Sequence, residues 1–215
     1  MNRFVRYWYQ LMIEHDISFV HKRKLSLANK LVLTALMSAL TTMFQAAGNL
    51  IPGIGLLISP FSTLPIFFAI FYSIREGILS YILTIFLLFI IEPSELIVFP
   101  FTTGLLGLAL GVSFLKLKRR IWIVSFSATC LLIGIMIVLD VFHFPVLGPA
   151  VHTTMDIKII LLIFILSFLY CWIYAGFCRI MMNRLCKVLY WQWHNEDWRM
   201  YSWLTLQLED RIWMM

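Results

Sequence analysis

Apolar stretches separated by short polar breaks run along the chain at roughly 28–47, 54–74, 77–91, 95–115, 121–141 and 157–178. Most are near the ~20 residues that a helix needs to cross a ~30 Å hydrocarbon core, and the third is the shortest. A helix satisfies its own backbone hydrogen bonds, which lipid cannot do for it. The pattern therefore predicts an all-α, polytopic membrane protein with six transmembrane helices. Composition points the same way, with 61% hydrophobic residues and a mean hydropathy of +0.89, beyond the range of a soluble domain.

Charge sets the expected orientation. With the N-terminus in the cytoplasm, Lys158 alone of the seventeen lysines and arginines falls outside. Arg3, Arg6, Lys22, Arg23 and Lys24 precede the first span and Lys30 lies in its first turn, Arg75 lies in the second connection, and Lys116, Lys118, Arg119 and Arg120 lie in the fourth. Arg179, Arg184, Lys187, Arg199 and Arg211 follow the last span. The positive-inside rule then gives an N-in, C-in topology. The net charge of +6 is accounted for by this loop bias, and no nucleic-acid partner is expected.

Three regions follow. Residues 1–26 mix charge with Phe4, Trp8, Tyr9 and Ile17, unlike a cleavable signal peptide, and read as an amphipathic segment on the cytoplasmic leaflet. Residues 27–180 form the membrane domain. The tail, 181–215, interleaves Trp191, Trp193, Trp198, Trp203 and Trp213 with charge, as an interfacial anchor does; a docking strip for a partner is the alternative. Cys130, Cys171, Cys178 and Cys186 lack metal-ligand spacing and read as packing residues, with no disulfide framework implied.

Inside the membrane domain, Ser26 is a candidate N-cap for the first span, where Ala35 and Ala39 lie one turn apart on a small-residue face. The following segment, Gly48 to Pro65, is apolar and uncharged but rich in Gly and Pro, so it is expected to be irregular. Irregular backbone at membrane depth must be buried by protein or line a cavity, which makes this segment a candidate lid or re-entrant loop. In the fourth span Pro100 should kink or unwind the outer half, while Gly104, Gly107 and Gly111 form a groove for close helix approach.

Ionisable residues outside the cytoplasmic set are Glu92, Glu95, Asp140, His143, His152, Asp156 and Lys158, all in outer connections. Their placement fits either a polar cavity or simple solvation. The Asp/His set matches no compact metal motif, so neither a metal nor another cofactor is expected. Arg75-Glu76 reads as a local ion pair at a helix junction. No phosphate loop, nucleophile elbow, zinc helix or intramembrane aspartate pair occurs, so the chain is not expected to be an enzyme.

Over residues 27–180 the chain resembles the S components of energy-coupling factor (ECF) transporters, small six-helix proteins that capture a vitamin or related micronutrient for import. The resemblance rests on Ala35-x-x-x-Ala39, on the Gly/Pro-rich outer loop ending in Thr63-Leu64-Pro65, and on the run from Thr103 to Gly111 in the fourth span. It implies that Ala35 and Ala39 dock on a membrane coupling subunit bound to ATPase subunits in a bacterial plasma membrane. Both ends are longer than the family requires. A non-transporting scaffold or signalling partner, MreD-like or an activator of a membrane kinase, is the alternative.

A small organic substrate is expected between the Asn49–Thr63 loop and the outer ends of spans four to six. Gln45 and Asn49 supply amides at the end of the first span, and Thr63 closes the loop. Thr102 and Thr103 follow the Pro100 break, and Asp140 and His152 are candidates for a charged contact.

Overall fold

The computed structural model describes residues 26–51, 54–142, 157 and 160–185. The amphipathic N-terminal segment, the Trp-rich tail beyond 185, His143, His152, Asp156 and Lys158 lie outside the described residues. Those described are all-α: α1 (Leu27–Leu50), α2 (Gly55–Ile58), a 3-10 turn (Ser59–Ser62), α3 (Thr63–Tyr72), α4 (Ile74–Ile91), α5 (Glu95–Phe101), α6 (Thr103–Lys116), α7 (Arg120–Asp140) and α8 (Ile160–Leu185). The described residues through Gly176 belong to one compact unit, and Phe177 opens a second, described as the last part of α8.

Among the described residues five helices are long and apolar enough to cross a membrane: α1, α4, the α5–α6 pair, α7 and α8. The expected 54–74 span is not one helix but α2, the 3-10 turn and α3, of which Ser59–Tyr72 is a shorter apolar helix. Polarity is inverted relative to a soluble bundle. On α1 the buried face carries Thr34, Ser38, Thr41, Thr42 and Gln45, while Leu31, Val32, Leu36 and Met43 are exposed. On α4 the buried stripe is Glu76, Ser80, Thr84 and Leu88, with Phe86, Phe89 and Ile90 outside. Polar groups avoid this chain's surroundings and apolar ones face them, as expected where lipid is the solvent. The chain is a multi-pass membrane protein by this criterion.

Several hydroxyls on these faces are satisfied within their own helix, while Ser80 has no partner. Ser26 caps α1 by accepting from the Asn29 N–H at 3.3 Å. Thr41, Thr42, Thr84, Thr102 and Ser113 each donate to the carbonyl four residues back, at 2.5 to 2.8 Å.

Side-chain hydrogen bonds trace the path of the first half. Near the start of α1, Thr34 Oγ1 donates to Glu76 Oε2 at 3.1 Å, so the α3–α4 junction lies there. Near its end, Gln45 bonds Ser62, just before α3, and Glu95, just after α4. The eleven residues from Thr34 to Gln45 span ~16 Å along the helix axis. α3 thus runs back beside α1 and α4 returns. The Glu76 carboxyl, expected in a local ion pair with Arg75, is buried and takes this Thr34 bond, while Arg75 is exposed.

α3 sits at the centre. Ile66, Phe67, Ala69 and Ile70 are fully buried, because α1, α4 and α6 all pack on it. The close approach to α6 depends on the anticipated groove: a Cβ on Gly107 would lie 2.9 Å from the Thr63 carbonyl oxygen, and one on Gly111 2.7 Å from Ile70 Cβ. The fourth span breaks where Pro100 precedes it, between α5 and α6 at Thr102. Tyr81 donates to the Pro100 carbonyl at 3.0 Å and its ring stacks on Phe99.

Candidate functional site

The break at Thr102 has two sides, and each carries part of a candidate site. On the first, Gln45 is buried at 2% exposure and its amide joins three elements. Its Nε2 donates to Glu95 Oε2 at 2.7 Å, and its Oε1 accepts from Ser62 Oγ at 2.7 Å and from Thr103 Oγ1 at 2.8 Å. Thr63 adds a longer bond, from its Oγ1 to the Thr103 carbonyl at 3.3 Å. A second string lies beside it: Asn49 Nδ2 donates to Ser94 Oγ at 2.8 Å, and Ser94 Oγ to Glu92 Oε1 at 2.6 Å. The first group is largely buried and the second exposed, so only the first is shielded from competing partners.

Short helical pieces, in place of the irregular loop expected from Gly and Pro, make this possible. The Gly48–Pro65 segment folds back along α1 through α2 and the 3-10 turn, which delivers Ser62 to the Gln45 amide. A Cβ on Gly48 would meet Ser59 at 3.2 Å, so the returning chain lies directly on the end of α1.

On the second side, a cavity of about 400 Å³ opens between α6, α7 and α8. Its walls are Leu106, Leu131, Ile135, Ile163, Leu166, Leu169, Tyr170 and Ile173, with the hydroxyl-bearing Thr102, Thr103 and Ser167. That volume is within the ~300–1,000 Å³ typical of small-molecule sites. α7 comes close beside it because residue 134 is glycine: a Cβ there would overlap the carbonyl oxygen of Phe101 at the helix break.

Of the residues singled out from sequence, Gln45, Thr63 and Thr103 meet in one hydrogen-bonded group, and Thr102 and Thr103 line the cavity. Asn49 and Asp140 are exposed, Asp140 as the last residue of α7. His152 lies outside the described residues. Ala35 and Ala39 are both exposed on α1. The residues that sequence reasoning did not place here are Glu95 and Ser62 in the polar group and Ser167 and Tyr170 in the cavity. Glu95 was legible as an ionisable residue beside the membrane, but its partner was not. Among the described residues no cluster of His, Cys, Asp and Glu could hold a metal ion, and Cys130, Cys171 and Cys178 are free thiols. No protein-family model, curated protein or solved structure matches the chain.

Proposed function

We propose that this chain is the substrate-capture subunit of an energy-coupling factor importer for a vitamin or related micronutrient, in a bacterial plasma membrane. It crosses that membrane six times with both ends in the cytoplasm. The observation that carries the reading is the cavity between α6, α7 and α8, of a size for one small molecule and adjoining the buried Gln45 group. Two features support the rest. The path traced by Thr34–Glu76 and Gln45–Ser62 returns the chain to its starting level before α4, as an even number of crossings requires. The Ala35/Ala39 side of α1 is exposed while its polar side is buried, which leaves a close-packing face for a coupling subunit.

Purification under mild detergent from the native membrane tests this reading. Co-purification of a membrane coupling subunit with ATPase subunits is the expected result. Recovery of cell-envelope or kinase partners in their place would replace the importer by the scaffold reading.

A further inference from the structure

The cavity's chemistry narrows what it can hold. Among the described residues no charged side chain lines it. A charged molecule entering would lose its water and find no counter-charge, a cost that neutral molecules avoid. Four hydroxyl-bearing residues line it, and three have partners: Thr102 donates to the Val98 carbonyl, Thr103 donates to Gln45, and Tyr170 is hydrogen-bonded to Tyr174. Ser167 differs. It is 3% exposed, yet its Oγ has no hydrogen-bond partner, in contrast to the serines and threonines that bond the preceding turn. Ser80 and Ser127 also lack a partner, but neither lines the cavity. A buried hydroxyl left without a partner is costly, and a serine of the cavity wall can turn its hydroxyl about χ1 to meet a ligand's polar atom.

The rim shows the route. Leu166, Leu169 and Ile173 line the cavity and are about half exposed, on a helix long and apolar enough to span the bilayer. Ser167 lies seven residues, ~10 Å along the axis, into the described 160–185 stretch of that helix. An opening at that depth with an apolar rim faces hydrocarbon.

We propose that the cavity holds a neutral lipophilic molecule bearing one hydroxyl or carbonyl group, admitted sideways from the bilayer, with Ser167 Oγ as its hydrogen-bond partner. Calling this molecule a substrate rests on the importer reading; its binding does not.

The test uses the full chain in lipid nanodiscs with tritiated 1-dodecanol, corrected for protein-free discs, and with dodecane and thiamine as competitors. Saturable binding of the alcohol is expected, with dodecane a weaker competitor and thiamine none. Ser167→Ala should weaken the alcohol about tenfold and leave dodecane unchanged, as loss of a single buried hydrogen bond implies. Ser80→Ala, which changes a comparable unpartnered serine away from the cavity, should have no effect. Non-saturable uptake, equal binding by Ser167→Ala, or displacement of the alcohol by thiamine would overturn the proposal. ATPase co-purification in the same preparations keeps the two readings apart: partners without alcohol binding sink this inference alone, and alcohol binding without partners sinks the importer alone.

Discussion

Gln45 holds together α1, the 3-10 turn, α5 and α6 with a single amide, so its replacement should cost more than that of any exposed polar neighbour. Gln45→Leu leaves Ser62, Thr103 and Glu95 without that partner. The buried Ser62 hydroxyl left alone costs about 1–3 kcal/mol and the half-buried Thr103 and Glu95 less, so a clear drop in the thermal unfolding midpoint in detergent is expected. Asn49→Ala removes a bond of similar length at 2.8 Å, but an exposed one, and should change stability by less than about 0.5 kcal/mol. Equal midpoints for the two variants would contradict the assignment of Gln45 as the joining residue. At this scale the sequence was partly readable. Gln45, Thr63 and Thr103 stand out as polar groups in apolar runs. Ser167 stands out equally, but whether a lone serine bonds its own helix, faces a neighbour or lines a cavity depends on rotation of α8 against α6 and α7, which no local pattern encodes.

For whole elements, length and hydropathy marked α1, α4, the α5–α6 pair and α7 to within three residues, α8 runs seven residues beyond its expected end at 178, and Pro100 marked the break in the fourth span. The region 54–74 was different. α3 is apolar on every side, and that character reads the same whether the neighbours are lipid tails or other helices. Only its burial by α1, α4 and α6 shows that it is a core element. The same ambiguity applies to small residues. Ala35 and Ala39 on α1 and Gly107 and Gly111 on α6 are alike as motifs, but the first pair is exposed and the second is filled by α3. Their variants should therefore separate. Gly111→Leu must displace Ile70, and overpacking of this kind costs about 1–3 kcal/mol or more, seen as a lowered unfolding midpoint and reduced yield. Ala35→Trp and Ala39→Trp project from an open face and should unfold as the parent does, while losing any coupling subunit that co-purifies. An Ala35→Trp variant that is as unstable as Gly111→Leu would show that this face is packed within the chain itself.

For the molecule as a whole, the decisive question is whether α3 counts as a crossing. Its ten residues reach ~15 Å, half of a ~30 Å hydrocarbon core. Together α2, the 3-10 turn and α3 cover Gly55–Tyr72, and because protein surrounds α3 its backbone need not meet the lipid length requirement. If this segment did not cross, the parity would be odd. Arg75 and the basic run Lys116, Lys118, Arg119 and Arg120 would then lie outside with the C-terminus, against the bias that orients membrane proteins. If it does cross, all of these are cytoplasmic. Fusions after Arg75, Arg120 and Met215 distinguish the two. With an even number of crossings, green fluorescent protein should fluoresce at all three positions, and alkaline phosphatase should be active only when fused after Ser94 in the α4–α5 connection. Phosphatase activity after Arg75 would overturn the N-in orientation with an even number of crossings. The hydrogen bond from Thr34 to Glu76 would then join two residues on the outer side, and the N-terminus of α1 would have to lie there as well.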